Sequence, residues 1–326
     1  MPNITYQKQH YSCGNSESVL ECLTRHGVAI PSSCGSGVCQ TCMMRAIKGD
    51  VPEEAQKGLK ETQQAQHYFL ACSCTPRGDL EVVLPADGEA DHTQAVVLAK
   101  EPLSADIMRV TLRCPATFNY RAGQFITLFR DESNGRSYSI ANVPELGEPL
   151  ELHVQRVPGG QISGWIWDEL NSADQVVIAG PHGDSFYLPD ESQQGLLLIG
   201  TGSGLAPLWG IVRDALNQGH AGPIHLFHSS YNEQGLYLFD ELKNLAKQHD
   251  NFTYTPSVSG AEVVGFAHGR ADAVALAALP QLSGWRIHLC GNPDMVKDAK
   301  RATFIAGVSM SDIYSDPFEF QVAPKK

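Results

Sequence analysis

The sequence predicts a multidomain chain of three successive parts. The first is a cysteine-rich α+β part, the second an antiparallel all-β part closed as a barrel, and the third a C-terminal α/β part on a parallel sheet. Three observations carry this expectation. Five of the nine cysteines crowd between Cys34 and Cys74. Segments of period two, the mark of half-buried strands, dominate the stretch from Ile107 to Val157. From Gly195 onward, apolar strands alternate with glycine turns and helices, the pattern of βαβ units. With 326 residues the chain has room for two or three domains, each with its own core.

Composition narrows the function. At 42% hydrophobic and 18% charged residues the chain is globular and water-soluble in character. Its 36 acidic and 24 basic residues give a net charge of -12, against a nucleic-acid partner, since phosphate binding needs a basic surface. The uncharged window Ser192 to Val212 holds five glycines and a proline and lacks the apolar density of a spanning helix, so no membrane partner is expected. The first twenty residues include Gln7, Lys8, Gln9, His10 and Glu17 and no apolar run, so no secretory signal is expected and the cytoplasm is the expected location. In such a reducing compartment an odd number of clustered cysteines indicates metal or redox chemistry before disulfides.

The first part, residues 1–86, ends in the strand-like run Asp79 to Leu84, closed by Pro85. Residues 87–93, small and polar, form a linker. The second part, 94–190, holds the alternating segments Ile107 to Arg113, Gln124 to Phe129 and Leu150 to Val157. In the third, 191–326, the strand from Leu196 is followed by Pro223 to Phe227, a helix over Tyr237 to His249 and a strand from Trp285 to Cys290.

Cys34, Cys39 and Cys42 lie in a tight glycine- and serine-rich loop with C-x4-C-x2-C spacing, and 29 residues separate Cys42 from Cys72. Four soft thiolates suit a 2Fe-2S cluster, and a glycine-rich loop lets backbone amides reach the sulfurs. Structural zinc is the competing reading, but zinc sites favour two C-x2-C knuckles, whereas the later pair is Cys72-x-Cys74. The spacing resembles that of the plant-type ferredoxins. That resemblance implies a β-grasp fold and Cys72 as the fourth ligand, leaving Cys74 as the rival. Cys13, Cys22 and Cys114 receive no function and are expected as small buried hydrophobes.

Within four residues, Arg136-Ser137-Tyr138-Ser139 supplies a guanidinium that can clamp a pyrophosphate, a ring that can stack on an isoalloxazine, and a hydroxyl. Ala122 to Phe125 precedes it, and Gly159-Gly160-Gln161-Ile162-Ser163 opens an apolar helix after it, a natural phosphate cradle. In this order the pieces resemble the ferredoxin-NADP reductase superfamily. The resemblance implies FAD held through Arg136 and Ser163 at the pyrophosphate, Tyr138 on the flavin and Ser139 near its hydride-accepting nitrogen. Ser137, His153 and Gly160 join the implied cofactor-binding set. His182 departs from the superfamily, which more often has phenylalanine there, and is expected to alter packing and not cofactor identity.

Leu196 to Thr201 runs into Gly202-Ser203-Gly204, where glycines let the backbone approach a pyrophosphate at a helix N-terminus. Leu205 occupies the last glycine position of the G-x-G-x-x-G dehydrogenase fingerprint, so that reading fails. The spacing instead resembles the nicotinamide domain of the same reductase superfamily, implying a role for Gly200, Thr201, Gly202 and Gly204. By the same resemblance Cys290-Gly291 is a turn whose cysteine lies beside the hydride-donating carbon, and Phe318 covers the flavin face. Ser139, Cys290 and Phe318 are thus the implied catalytic set. A 2'-phosphate wants lysine or arginine, and the stretch His228 to Tyr237 offers neither but does contain Glu233, favouring NADH.

Ferredoxin, flavin and nicotinamide motifs in this order look like the reductase components of bacterial multicomponent oxygenases. A hydride brings two electrons together while a 2Fe-2S cluster carries one, so FAD stands between them. The implied path runs from NADH through FAD and the 2Fe-2S cluster to a terminal oxygenase or other redox acceptor protein, with the reductase a monomer. Two alternatives stand beside it: a reductase of the same build for a sugar-deoxygenation enzyme, and a slow redox-sensing or electron-carrying module.

Overall fold

A computed structural model describes residues 1–85 and 92–319. The chain divides into two compact units, Met1–Asp91 and His92–Lys326.

In the first unit, β1 (Asn3–Tyr6) and β2 (Gln9–Ser12) form a hairpin, followed by α1 (Val19–Arg25), β3 (Met43–Lys48), α2 (Glu61–Ala65), β4 (Tyr68–Leu70) and β5 (Leu80–Val83). They make a mixed five-stranded sheet in the order β2-β1-β5-β3-β4, with β1 and β5 parallel in its centre. This is the sheet of the expected ferredoxin domain. A capping box starts α1: the Ser18 hydroxyl accepts from the Glu21 amide at 3.2 Å, and the Glu21 carboxylate accepts from the Ser18 amide at 2.9 Å. The helix turns Val19, Cys22 and Leu23 into a core with Ile4, Met44 and Phe69. The segment between α1 and β3 carries three of the clustered cysteines, and a 3-10 turn after β4, Ala71–Ser73, carries Cys72.

In the second unit the flavin part comprises β6 (His92–Pro102), β7 (Ile107–Arg113), β8 (Phe125–Asp131), β9 (Asn134–Ser139), β10 (Leu150–Gln155), α3 (Gln161–Asp168) and β11 (Gln175–His182). The six strands are antiparallel in the order β10-β7-β6-β11-β8-β9. A bridge between Ile140 and Leu152 joins the two outer strands, which closes the sheet into the expected barrel. Alternation does what the sequence implies: Val110 and Leu112 of β7, and Ile126 and Leu128 of β8, point into one core with Val154 and Ile178. Lys100 fixes α3 against that barrel, its ammonium donating to the carbonyls of Ile166, Trp167 and Leu170 at 2.7, 3.1 and 2.5 Å.

The nicotinamide part holds β12 (Leu196–Thr201), α4 (Leu205–Asn217), β13 (Ile224–Ser230), α5 (Phe239–Gln248), β14 (Phe252–Val258), β15 (Ala267–His268), α6 (Ala271–Ala278), β16 (Arg286–Gly291), α7 (Pro293–Ile305) and β17 (Ile313–Pro317). All pairings are parallel, in the order β15-β14-β13-β12-β16-β17. The order reverses direction at β12 and β16, and the crevice beyond the carboxyl ends of these strands is where such sheets take ligands.

Two expectations need correction. The linker assigned to 87–93 ends too late, because His92 and Thr93 already pair in β6; residues 87–91 lie outside the described residues. The helix assigned from Tyr237 starts at Phe239, because Leu238 takes a left-handed conformation with φ of 54° and turns Tyr237 inward.

Candidate functional site

The cluster loop is open to solvent. Cys34 and Cys39 are exposed, Cys42 is buried and Cys72 is half-buried. The Ser36 and Cys39 amides donate to Cys34 Sγ at 3.4 Å each, and the Cys34 amide donates to Cys39 Sγ at 3.5 Å. The Ser36 hydroxyl and the surrounding amides pull the Cys34 thiol down to about 5, and the Thr41 hydroxyl lowers that of Cys39. Burial raises Cys42, whose thiol lies within hydrogen-bonding reach of Cys72. The four thiols therefore fall into two pairs, one held by amides at the surface and one at its inner edge. Cys34 and Cys39 are thus disposed to the thiolate form that iron binds, and four thiols in two pairs fit a two-iron cluster. Cys74, the rival ligand, is fully buried, and burial pushes its thiol up to about 12.

Cys13 and Cys22 do more than fill space. Their sulfurs and a Glu17 carboxylate oxygen lie within 4.8 Å of one another. Glu17 is already engaged by Arg25 Nε at 2.7 Å and by the Gly14 amide at 2.8 Å. Burial pushes the Cys13 thiol up to about 12, and it donates to the Glu17 carbonyl at 3.5 Å. Both cysteines act as buried donors that tie the start of α1 to β2.

On the flavin barrel, Arg136 and Tyr138 lie opposite Leu128 and Ile126 in the β8–β9 ladder, so they share that face. Ser137 is exposed, and Ser139 is buried at the strand end. Arg136 Nη2 donates to the Glu319 carbonyl at 2.7 Å. Ser163 is buried in the first turn of α3, where its hydroxyl accepts from the Val157 amide at 3.2 Å and caps the approach from Gly160. The turn and the arginine each supply donors suited to a pyrophosphate. His182 packs its ring against Phe125 at 5.5 Å between centroids.

The nicotinamide turns interlock. A Cβ on Gly204 would stand 2.4 Å from the Cys290 carbonyl oxygen, and one on Gly291, at φ 115°, would stand 2.5 Å from the Thr201 carbonyl. Only glycine permits that approach. The Asn292 amide donates to Thr201 Oγ1 at 2.9 Å, and Gly200 lies opposite Cys290 in the β12–β16 ladder. Cys290 is fully buried, and burial, with the Asp316 carboxylate nearby, holds its thiol well above the usual range, so it stays protonated. The Phe318 amide donates to the Gly291 carbonyl at 2.8 Å, anchoring that aromatic beside the same turn. Glu233 is exposed after β13 and accepts from Gln234 Nε2 at 2.9 Å.

Two features escape the sequence. Asp316 lies opposite Cys290 in the β16–β17 ladder and accepts from Ser139 Oγ at 3.2 Å, so it joins two of the implied catalytic residues. Burial, and secondarily the Asp184 charge, push its carboxyl up to about 6. The second feature concerns His153. Both of its ring nitrogens are taken within the protein, Nε2 at 2.7 Å from Glu151 Oε1 and Nδ1 at 3.1 Å from Tyr237 Oη.

Comparison with known proteins agrees with this layout. Family models match at residues 3–77 (2Fe-2S iron-sulfur cluster binding domain), 94–187 (oxidoreductase FAD-binding domain) and 198–301 (oxidoreductase NAD-binding domain). The ferredoxin–NAD(P)+ reductase component of the naphthalene 1,2-dioxygenase system of Pseudomonas putida is 33% identical over 307 residues, covering 92% of this chain and 93% of that protein. The reductase subunit of an aromatic O-demethylase from Amycolatopsis is 34% identical over 321 residues, covering 94% and 95%. Among solved structures, an Amycolatopsis cytochrome P450 reductase superposes with a TM-score of 0.68 at 30% identity, over 98% of this chain and 99% of the other. The fold is shared as well by a ferredoxin reductase of carbazole 1,9a-dioxygenase, with a TM-score of 0.64 at 24% identity and 98% of each chain covered. The chain therefore belongs to the family of NAD- and FAD-dependent reductase components of oxygenase systems that carry a 2Fe-2S ferredoxin domain.

Proposed function

We propose that the Ser139–Asp316–Cys290 arrangement is the hydride-transfer centre of an NADH-specific reductase that delivers single electrons to its oxygenase. The observation that carries this reading is the 3.2 Å contact between Ser139 and Asp316, with Asp316 facing Cys290 across one ladder step. When bound, NADH supplies a hydride, FAD accepts it, and the 2Fe-2S cluster passes electrons onward one at a time.

The chain's own residues bind and orient. Arg136, Ser163 and Gly160 would hold the FAD pyrophosphate, Tyr138 would lie against the ring system, and Ser137 would line the strand. Gly200, Thr201, Gly202 and Gly204 would receive the dinucleotide, and the neutral Cys290 and Gly291 would shape the floor beneath its nicotinamide. Phe318 would cover the reacting face until the dinucleotide arrives. Asp316, whose carboxyl burial pushes up to about 6, would orient the Ser139 hydroxyl by accepting its proton in a hydrogen bond. Glu233, with no lysine or arginine between His228 and Tyr237, disfavours a 2'-phosphate. Cys34, Cys39, Cys42 and Cys72 would ligate the cluster. Among the described residues no helix is long and apolar enough to cross a membrane, and the free cysteines suit a reducing cytoplasm; the reading is of a cytoplasmic monomer.

Stepwise anaerobic addition of NADH, followed by visible absorbance and electron paramagnetic resonance of frozen samples, tests the path. Flavin bleaching together with a reduced-cluster signal is expected. Bleaching with no cluster signal would end the assignment of the cysteine loop.

A further inference from the structure

We infer that His153, Tyr237 and His228 are positioning residues for hydride transfer: a buried bridge that fixes the nicotinamide glycine turn against the flavin barrel. The inference rests on the proposed reading that this turn receives the dinucleotide.

His153 belongs to β10 of the barrel, and its side chain is wholly enclosed. Glu151 is itself ion-paired to Arg109, with Nε 3.3 Å from the shared Oε1. A carboxylate can only accept, so the 2.7 Å contact requires the proton on His153 Nε2. Burial lowers the affinity of His153 for a second proton, which keeps the ring neutral and leaves Nδ1 as an acceptor. Tyr237 Oη, 3.1 Å away, must then donate to it. Arg109 and Glu151 thus set the direction of a hydrogen bond that crosses from the flavin part to the nicotinamide part.

Tyr237 sits before α5, buried by the left-handed turn at Leu238. Its ring stands edge-on to both histidines, 5.3 Å from His153 and 5.8 Å from His228. His228, at the end of β13, is fully buried and places Nε2 3.2 Å from the Gly202 carbonyl. A carbonyl also only accepts, so Nε2 donates; burial pushes the His228 ring down to about 4 and keeps it neutral. Gly202 lies in the turn at φ 53°, and its carbonyl is held by a side chain that packs on the bridging tyrosine. Enclosure matters here, because water cannot replace a bond lost within it.

An apolar pair of the same shape would fill this space without desolvating polar groups. What the polar pair adds is one defined register between the two parts. Hydride transfer needs reacting atoms about 3–3.5 Å apart, and a displacement of about 1 Å can cost on the order of a hundredfold in rate.

The test uses the full-length holoprotein in anaerobic stopped-flow, with NADH as the probe. Tyr237→Phe keeps the ring and removes the donated proton. The limiting rate of flavin bleaching at saturating NADH is expected to fall about 10- to 100-fold, with half-saturating NADH and FAD content within about twofold of the parent. His153→Leu should match it, whereas His153→Gln, which can both donate to Glu151 and accept from Tyr237, should restore most of the rate. His228→Leu should instead raise half-saturating NADH, because it releases the turn itself. A limiting rate in Tyr237→Phe within twofold of the parent overturns the inference, as does equal behaviour of the Leu and Gln variants at 153. Should Tyr237→Phe fail to fold, the contrast at 153 decides alone. A parent protein whose flavin NADH does not bleach would overturn the underlying reading instead.

Discussion

Ser139 Oγ donates to Asp316 Oδ2 at 3.2 Å, joining the end of a barrel strand to the last strand of the nicotinamide sheet. The carboxylate is half-buried, faces Cys290, and holds its proton up to about 6. An acid whose pKa rises on folding makes a favourable contribution at low pH that is lost as pH climbs from about 4 through about 6.

Asp316→Asn should therefore stabilise the protein above pH 6 by at most about 3 kcal/mol, with the gain vanishing toward pH 4. Thermal melts of both proteins across that range check this. A constant offset at every pH would mean that Asp316 titrates normally.

Cys72→Ser should abolish the reduced-cluster resonance and leave NADH bleaching of the flavin intact. Cys74→Ala should keep the resonance, since that thiol is buried and held protonated. If the two variants exchange these behaviours, the fourth ligand is Cys74.

Cys290→Ala should slow flavin bleaching by about tenfold or more while FAD stays bound, because it removes a packed neutral group beside the glycine turn. The parent rate should show no inflection from this thiol up to pH 9, given how far burial raises it. Stopped-flow across pH reads both effects.

Glu233→Lys should shift the ratio of NADH to NADPH efficiency toward NADPH by about 2- to 5-fold, the size expected of an exposed lysine–phosphate contact. Steady-state kinetics with both dinucleotides measures it, and an unchanged ratio would remove Glu233 from the specificity argument.

Lys100→Met should cost about 2–4 kcal/mol, since three carbonyls at the end of α3 lose their donor together. Denaturant unfolding gives the value. A loss below about 1 kcal/mol would show that water satisfies those carbonyls as well.

The legible parts of this chain are those where chemistry is written in consecutive residues. Cys34, Cys39 and Cys42 share one loop, Arg136 to Ser139 one strand and Thr201 to Gly204 one turn, so spacing alone displays the donor set. Asp316 could not be read in this way, because its partner Ser139 lies 177 residues away. His153 and Tyr237 are separated by 84 residues, and nothing in the local pattern of Leu150 to Gln155 shows that the histidine turns toward another sheet. Helix and strand types emerged from periodicity, whereas boundaries slipped at Tyr237 because a left-handed Leu238 is a tertiary choice, not a propensity.

The strand β17 has a temporal consequence. Its Asp316 accepts from Ser139, and just beyond it Phe318 donates to the Gly291 carbonyl and Glu319 receives Arg136 from 183 positions upstream. Closing loops of that length is entropically costly and slow compared with folding of the barrel's hairpins. During synthesis, the barrel and most of the nicotinamide sheet can form while the proposed hydride-transfer centre still lacks its carboxylate. A nascent chain halted before residue 313 would therefore present the barrel with no partner for Ser139, so the proposed centre is completed as a late assembly event.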